Sequence, residues 1–469
     1  MSDVAQAPAF GPDEWARHLL DDCGLPPLPF PVILPKATSV PGQPEPSGAQ
    51  RWAASGAMAL TGWPDGPALL PPVDLATAAD GAALAFAALA RLVGQDVRLD
   101  GAALLGERAA LLGYTRRGRI TPGGSTRLLR AADGWVALGL RRPDDVDLVP
   151  ALIGRAVADN SNPWPELADW LLDRSADEVV DRAQLLGLPA ATRITGPMGT
   201  GPTGTGRMGT GRPWQLIAAT DPARSVVSPG STGTAGTGGG WGRRPLVVDF
   251  STLWAGPLAT SLLLLAGVDV IKVESPDRPD GTRSGAAAFH DLLNVGKLSV
   301  AARPDDPLAR SLVERADLVV TSARPRALEQ LGLVPAPGRS WLTITGYDWQ
   351  GPRRNWVAYG DDAAVAAGLL SGPPDAPVFC ADAVADPLTG LHAAVVALAV
   401  LIAGRSMHLD VSLHAVAAHL TSNLPRVQDP TYPSEAELVI QAPRARPSRD
   451  AAAELGADQD HRLVRGRGA

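Results

Sequence analysis

Asp386 stands near the start of the apolar run "DAVADPLTGLHAAVVALAVLIAG", Asp382 to Gly404. Pro387 follows it. Proline is favoured at the first helical position, and the residue before it is pushed out of the α region. The spacing therefore predicts a helix from Pro387 with Asp386 as its N-cap, worth about 1 kcal/mol. The same place suits chemistry. The positive end of a helix favours the carboxylate form at neutral pH. An ionised carboxylate on a loop is a nucleophile toward an activated acyl group. His392, on the apolar face of that helix, reads as packing before ligand. "GTGPTG" from Gly199 and "GTGRMG" from Gly204 match G-x-G-x-x-G, but no strand precedes them and no helix follows, so they read as flexible linker.

The elements that must position Asp386 come from a chain of 469 residues. Hydrophobic residues make up 45% and aromatics 5%, so Ala, Val and Leu must fill the core. A net charge of −7 and a pI near 5.6 argue against a nucleic-acid binder or a basic membrane-surface protein. Two cysteines, Cys23 and Cys380, give no disulfide framework and no metal-site spacing, which fits a reducing cytosol. No signal-peptide pattern opens the chain. The apolar runs 258–273 and 390–404 are interrupted and short for a membrane span. The expectation is a cytoplasmic protein with no membrane, nucleic-acid or metal partner.

Six segments are expected. Residues 1–50 are proline-rich and irregular after a short helix near Trp15. Residues 51–110 are helical. Residues 111–195 form a small α+β domain, with a hairpin turning at Asp133-Gly134 and a helix capped by Ser175 and ended near Gly187. Residues 196–243 are a Gly/Thr/Pro-rich linker. Residues 244–430 alternate strand and helix, with strands at Pro245–Phe250, Val268–Glu274, Leu298–Ala302, Asp317–Val320 and Trp341–Thr345. That is an α/β pattern with a parallel sheet, and such sheets bind ligands at the carboxyl ends of their strands. The loops after Phe250 and Thr345 are the first places to look. Residues 431–469 are a C-terminal segment.

Two stretches echo each other, from Trp52 and from Trp356. Each has a small-residue helix ending at Gly (Gly62, Gly372), then Pro-Asp-x-Pro (Pro64 to Pro67, Pro374 to Pro377). Each continues into an Ala-rich helix and closes on Gly-x5-Asp (Gly94 and Asp100, Gly404 and Asp410). A partial internal duplication is expected. Aligning Gly81 with Gly390 sets Thr77 opposite Asp386, and a one-residue slip sets Ala76 there. Residues 51–110 are therefore expected to lack the nucleophile.

"VVDFSTLWAGPLATSLLLLAGVDVIKVE" resembles the family III CoA-transferases, the CaiB/BaiF type, which includes formyl-CoA and carnitine-CoA transferases and α-methylacyl-CoA racemases. Asp249, Ala255, Gly256, Pro257, Asp269, Val270, Ile271, Lys272, Val273 and Glu274 carry the likeness. Leu293, Asn294, Gly296, Lys297, Ser299 and Val300 fit a second family segment, and "RADLVVTSARPRALEQLGL" and "TITGY" fit two more. The resemblance implies a Rossmann-like large domain beside a smaller α+β domain. It implies that Asp386 is catalytic, forming an aspartyl-CoA thioester, with acyl-CoA and carboxylic acid substrates and no tightly bound cofactor or metal. It assigns CoA contacts to Trp254, Ala255, Ser322, Ala323, Arg324, Gly346 and Tyr347, and an active-site loop to Gly123 and Gly124. Trp254 is open between flanking the pantetheine and packing. Arg283, Arg324 and Arg326 are candidates for the CoA phosphates, each open between that role and a solvated surface charge. Family members form interlocked dimers, so a homodimer or an intrachain pseudo-dimer is expected. Two departures matter. Thr321, Ser322 and Ala323 replace the family's E-N-F. Gly360, Asp361 and Asp362 replace the racemases' G-H-D, which disfavours proton exchange at an α-carbon. An acyl-CoA racemase or isomerase, and a catalytically degenerate CoA-binding subunit, are the alternatives.

Overall fold

The computed structural model describes residues 10–35, 45–158, 162–194, 212–219, 227–228, 240–335, 338–427, 438–448 and 450–466. Both glycine-rich hexapeptides, and most of the 196–243 segment, lie outside the described residues. The hairpin forms where its alternation places it: β1 (Thr126–Arg130) pairs antiparallel with β2 (Trp135–Gly139), Arg130 opposite Trp135. A third strand, β3 (Ala190–Ala191), adds to β2. Helices Trp164–Leu171 and Ala176–Leu186 cover this sheet, and Val136, Leu138, Leu167 and Val180 fill the core between them. Ser175 Oγ accepts the Glu178 N–H at 3.2 Å, and Gly187, at φ 80°, ends the helix.

The larger sheet has seven strands: β4 (Gln215–Ala219), β5 (Leu246–Asp249), β6 (Asp269–Glu274), β7 (Leu298–Ala301), β8 (Leu318–Thr321), β9 (Ser340–Thr345) and β10 (Met407–Ser412). Their order is β4-β10-β9-β8-β5-β6-β7. All neighbours run parallel except the antiparallel edge strand β4. The chain leaves β5 toward β7, then returns to its other side through β8, β9 and β10. The strand order reverses between β5 and β8, and that switch point is where α/β sheets open a ligand crevice. β4 corrects the linker reading: "QLIAA" pairs with β10 inside a segment whose composition reads as unstructured.

Eight helices matter for the site: α1 (Pro12–Arg17), α2 (Gly48–Ser55), α3 (Leu75–Leu92), α4 (Glu107–Leu112), α5 (Ala255–Leu265), α6 (Gly360–Ala366), α7 (Ala385–Ala403) and α8 (Leu413–Asn423). A helix apolar on every face belongs in a core. α7 is such a helix: every residue is buried except Asp386 and the last, Ala403. α3 and α7 are each long and apolar enough to cross a membrane, yet 78% and 94% of their spans are buried inside the protein. One continuous core joins the N-terminal helices to the large sheet, with Trp52, Phe86, Leu258, Leu342 and Leu391 among its members.

Two glycines let helices touch. A Cβ on Gly390 would stand 2.8 Å from the Ala255 carbonyl oxygen and 2.9 Å from Leu258 Cδ2. A Cβ on Gly81 would stand 2.7 Å from the Pro12 carbonyl oxygen and from Trp15 Cβ. So α5 lies on α7 as α1 lies on α3, which gives the sequence echo a counterpart in packing. The mouths differ from the alignment, however. Thr77 is the third residue of α3, and its N–H donates at 3.1 Å to Asp74, the N-cap. The α3 mouth therefore does hold a carboxylate, 3% exposed and pressed against Gly48. The Gly48–Asp74 spacing along the chain equals that of Gly360 and Asp386.

Gly390→Val tests the helix contact. Forcing a branched side chain into this contact costs about 1–3 kcal/mol. The expected result is a lower urea midpoint with unchanged slope, and an unaltered midpoint contradicts the packing described.

Candidate active site

Asp249 ends β5 and is 0% exposed. It accepts from Lys297 Nζ at 3.1 Å, Thr260 Oγ1 at 2.6 Å and the Ser251 N–H at 2.9 Å. Lys272 Nζ donates to the Ser251 carbonyl at 2.9 Å and to Asp280 at 3.1 Å. Asp280 in turn accepts the Leu253 N–H at 3.1 Å. These contacts hold Leu253 at φ 71°, in a region costly for a branched residue. Burial works against an ionised Asp249, but Lys297 and Lys272 hold its carboxyl below the usual range. Burial, countered in part by Asp249, brings Lys297 down to about 8. The motif residues thus shape the loop that leads into α5.

Asp386 does not cap α7. Val384, already in helical geometry, is the N-cap and Asp386 sits second in the first turn, with Pro387 third. The first four N–H groups of a helix lack intrahelical partners, so proline is tolerated at the third position as well as the first. Ala381 at φ 54° and Ala383 at φ 45° turn the chain into the helix ahead of the proline. Freed from capping, the Asp386 carboxylate accepts the Gly360 N–H at 3.0 Å. A Cβ on Gly360 would stand 2.6 Å from Asp386 Oδ2 and collide with the Ala383 carbonyl, so this position requires glycine.

Two arginine–aspartate pairs bracket the turn. Arg108 of α4 donates to both oxygens of Asp382, at 2.8 and 2.6 Å. Arg141, just past β2, donates to Asp361 at 2.5 Å and to Thr126 Oγ1 at 2.9 Å, and lies 4.4 Å over the Tyr359 ring. The other oxygen of Asp361 accepts the Ala383 N–H at 2.8 Å. Burial pushes the Asp386 carboxyl up to about 6; Arg108, Arg141 and the Gly360 N–H restrain the rise, and Asp361 adds to it. Sequence reasoning expects the helix end to hold this carboxyl low, and burial outweighs it. At neutral pH Asp386 is still mainly ionised. Neighbouring Asp362, driven by burial, rises to about 7.

Of the residues assigned from the resemblance, Gly123 comes to the site. Its missing Cβ would stand 3.5 Å from Tyr114 and 3.8 Å from Arg108 Nη2. Gly124 follows at φ 82°. Ser322 Oγ accepts the Thr252 N–H at 3.0 Å, tying the loops after β8 and β5 across the switch point. Ala323 and Arg324 continue outward, with Arg324 donating to the Asn355 carbonyl at 3.4 Å. Ala255 opens α5 against Gly390. Gly346, after β9, accepts the His414 N–H at 3.1 Å.

Two aromatic assignments change. Trp254 is 2% exposed, edge-on to Phe289 at 5.1 Å and 4.9 Å beneath the Arg108 guanidinium, so it packs. Tyr347 is 3% exposed between the rings of Trp356 and His414. Neither presents a face to a ligand. Arg283 is occupied too: Nε and Nη2 hold Glu274, and Nη1 donates to Ala453. His392 is buried, as expected, with Nδ1 2.7 Å from the Leu388 carbonyl. Sequence reasoning missed Arg108, Arg141 and Asp382. Asp382, one turn before Asp386, was the one local signal.

Residues 245–441 match the family described as CoA-transferase family III. The succinate–glutarate CoA-transferase of Agrobacterium fabrum is 31% identical over 207 residues, 38% of this chain and 52% of that protein. The succinyl-CoA:glutarate CoA-transferase of Mus musculus is 31% identical over 36% of this chain and 44% of its own. The chain thus spans about half the length of the curated relatives it matches. The crystal structure of a CAIB/BAIF family protein from Brucella suis is 29% identical, over 38% of this chain and 55% of that one, with a TM-score of 0.36. Over residues 245–441, then, the chain is similar to CoA-transferase family III.

Proposed function

We propose that this protein moves CoA from an acyl-CoA to a carboxylic acid through Asp386. The observation that carries the reading is the exposure pattern of α7, which is buried along its length yet leaves one carboxylate part-exposed at its mouth, between two arginines. Asp386 attacks the thioester carbonyl, giving a mixed anhydride and CoA thiolate. The thiolate attacks the aspartyl carbonyl of the anhydride, releasing the donor acid and leaving an aspartyl-CoA thioester. The acceptor carboxylate attacks that thioester, expelling CoA thiolate and forming a second anhydride. The thiolate then attacks the acceptor carbonyl, which yields the new acyl-CoA and returns Asp386. Peptide N–H groups at the helix mouth stabilise the oxyanions. No tightly bound cofactor is required.

The crevice between β5 and β8 is the place for CoA. Arg324 stands there, and burial and the charges of Arg142, Arg278 and Arg326 lower its pKa. Phosphate groups relieve that repulsion. Both curated relatives named above act on dicarboxylic acids, so succinate and glutarate are the first substrates to try. The matching contacts of α1 with α3 and α5 with α7 support an intrachain pseudo-dimer. The buried thiols Cys23 and Cys380 suit a reducing cytoplasm. Asp361, held by Arg141 and the Ala383 N–H, is poorly placed to exchange a substrate proton, which counts against a racemase.

Intact-mass measurement after mixing with succinyl-CoA is expected to show a CoA thioester on Asp386. Asp386→Asn is expected to lose the adduct and at least about 10³-fold in turnover. Persistent turnover in that variant refutes the assignment. Solvent deuterium at the α-carbon without an adduct indicates racemisation, and CoA binding with neither indicates a binding subunit.

The pH profile gives a second check. An aspartate near 6 is protonated, and no nucleophile, below that pH. We expect kcat/KM to fall as pH drops through about 6, whereas an ordinary carboxylate would hold activity to about pH 4. A profile flat down to pH 4.5 counts against Asp386 as the ionising nucleophile.

A further inference from the structure

Outside the Asp386 site, three side chains from opposite ends of the chain converge. His18 Nε2 lies 3.1 Å from His419 Nε2, and Cys23 Sγ lies 3.8 Å from the same nitrogen. All three atoms fall within 4.8 Å of one another. Tetrahedral zinc, with bonds of 2.0–2.1 Å to nitrogen and about 2.3 Å to sulfur, spaces its ligands about 3.4 Å (N to N) and 3.6 Å (N to S) apart. From these residues we propose a binding site for a zinc-type divalent cation, held by His18, Cys23 and His419, that ties the N-terminal segment to α8.

The backbone is built for this convergence. Past α1 the helix widens into a π-turn, His18–Asp22, closed by the Cys23 N–H donating to the His18 carbonyl at 3.2 Å. In an α-helix, residues five apart point roughly 140° away from each other. The wider turn stacks residue five over residue one, so His18 and Cys23 share a face. Such turns are rare and concentrate at functional sites. The partner, His419, projects from α8, and the Trp15 ring packs against both imidazoles, with centroids at 5.1 and 5.2 Å.

The outer contacts fit as well. His18 Nδ1 lies 3.1 Å from Asp22 Oδ2. A carboxylate there keeps the proton on Nδ1 and aims the Nε2 lone pair at the cation, as in many zinc sites. His419 Nδ1 lies 3.1 Å from Asn423 Nδ2. Metal binding moves the His419 proton to Nδ1, where the Asn423 amide, turned to offer its oxygen, accepts it. That turn sacrifices the 2.8 Å bond from Asn423 Nδ2 to the His419 carbonyl. The Cys23 thiol gives one proton to solvent as the metal–sulfur bond forms, so the dication and thiolate balance with one proton released. A cleft of about 370 Å³, lined by Glu14, His18, Asp22 and Asn423 among others, opens beside the cluster and supplies a water for the fourth position. The soft thiolate and two imidazoles select zinc or cobalt over calcium or magnesium.

Cobalt(II) titration of the chelator-treated full chain tests the site. The expected result is one equivalent bound, with intense tetrahedral d–d bands and a thiolate-to-cobalt charge-transfer band, both bleached by zinc. Cys380→Ser, which removes the other thiol, is expected to leave the spectrum unchanged. Cys23→Ser is expected to abolish the charge-transfer band, and Asp22→Asn to weaken binding about 10- to 100-fold. Circular dichroism confirms that each variant is folded, and if Cys23→Ser is not, His18→Gln on the partly exposed ligand carries the test. Weak octahedral bands alone, or a charge-transfer band that survives Cys23→Ser, overturn the proposal.

Discussion

Total burial of α7 is the constraint on which the rest of the structure depends. A helix enclosed on every face can meet solvent only at its ends. Its small residues admit α5 at Gly390, and α3 packs along it from the N-terminal half. With the body of the helix committed to the core, its mouth is the one place where a side chain can be both rigidly held and reachable. Asp386 occupies that place. Rigidity comes from elsewhere: the Arg108–Asp382 pair, whose aspartate is wholly buried, costs desolvation that a hydrophobic pair would not. Its yield is position, because Asp382 lies in the turn that opens α7, four residues before Asp386.

Strain gathers where the chain enters α5 and α7. Leu253, Ala381 and Ala383 are left-handed although none is glycine. Each costs of the order of 1–3 kcal/mol and persists because neighbours over-determine it. The neighbours can be named: Lys272 and Asp280 for Leu253, Asp361 for the Ala383 N–H, and Thr61 Oγ1 for the Ala381 N–H at 3.0 Å. The residues that carry the family likeness are mostly of this supporting kind. Asp249, Lys272, Asn294 and Lys297 are buried and bind one another or the backbone, not the crevice.

Much of this was legible along the chain. β5 and β8 are short apolar runs, the mark of strands buried on both faces, and β6 and β9 carry β-branched residues between polar ones. β4 was hidden by its glycine- and threonine-rich flanks, and β10, "MHLDVS", by its mixed polarity. Asp386 does lie at the helix mouth, but it is not the cap, because tertiary contacts at Ala381–Ala383 start the helix early. Arg108 and Arg141 were invisible, since their partners lie 274 and 220 residues away. Trp254 and Tyr347 show a related blindness: periodicity orients side chains on helices and strands, and says nothing of which way a loop aromatic turns. Asp74 escaped because matching Gly81 to Gly390 aligns the helix bodies, while their mouths fall at different offsets.

The two helix mouths, Asp74 against Gly48 and Asp386 against Gly360, sit in one polypeptide. In an assembly of identical subunits every substitution appears at each copy. Here the two mouths differ: Asp74 is buried and caps α3, while Asp386 is part-exposed and caps nothing. With both mouths on a single chain, a substitution at one leaves the other unchanged, so the two carboxylates can sit in different surroundings.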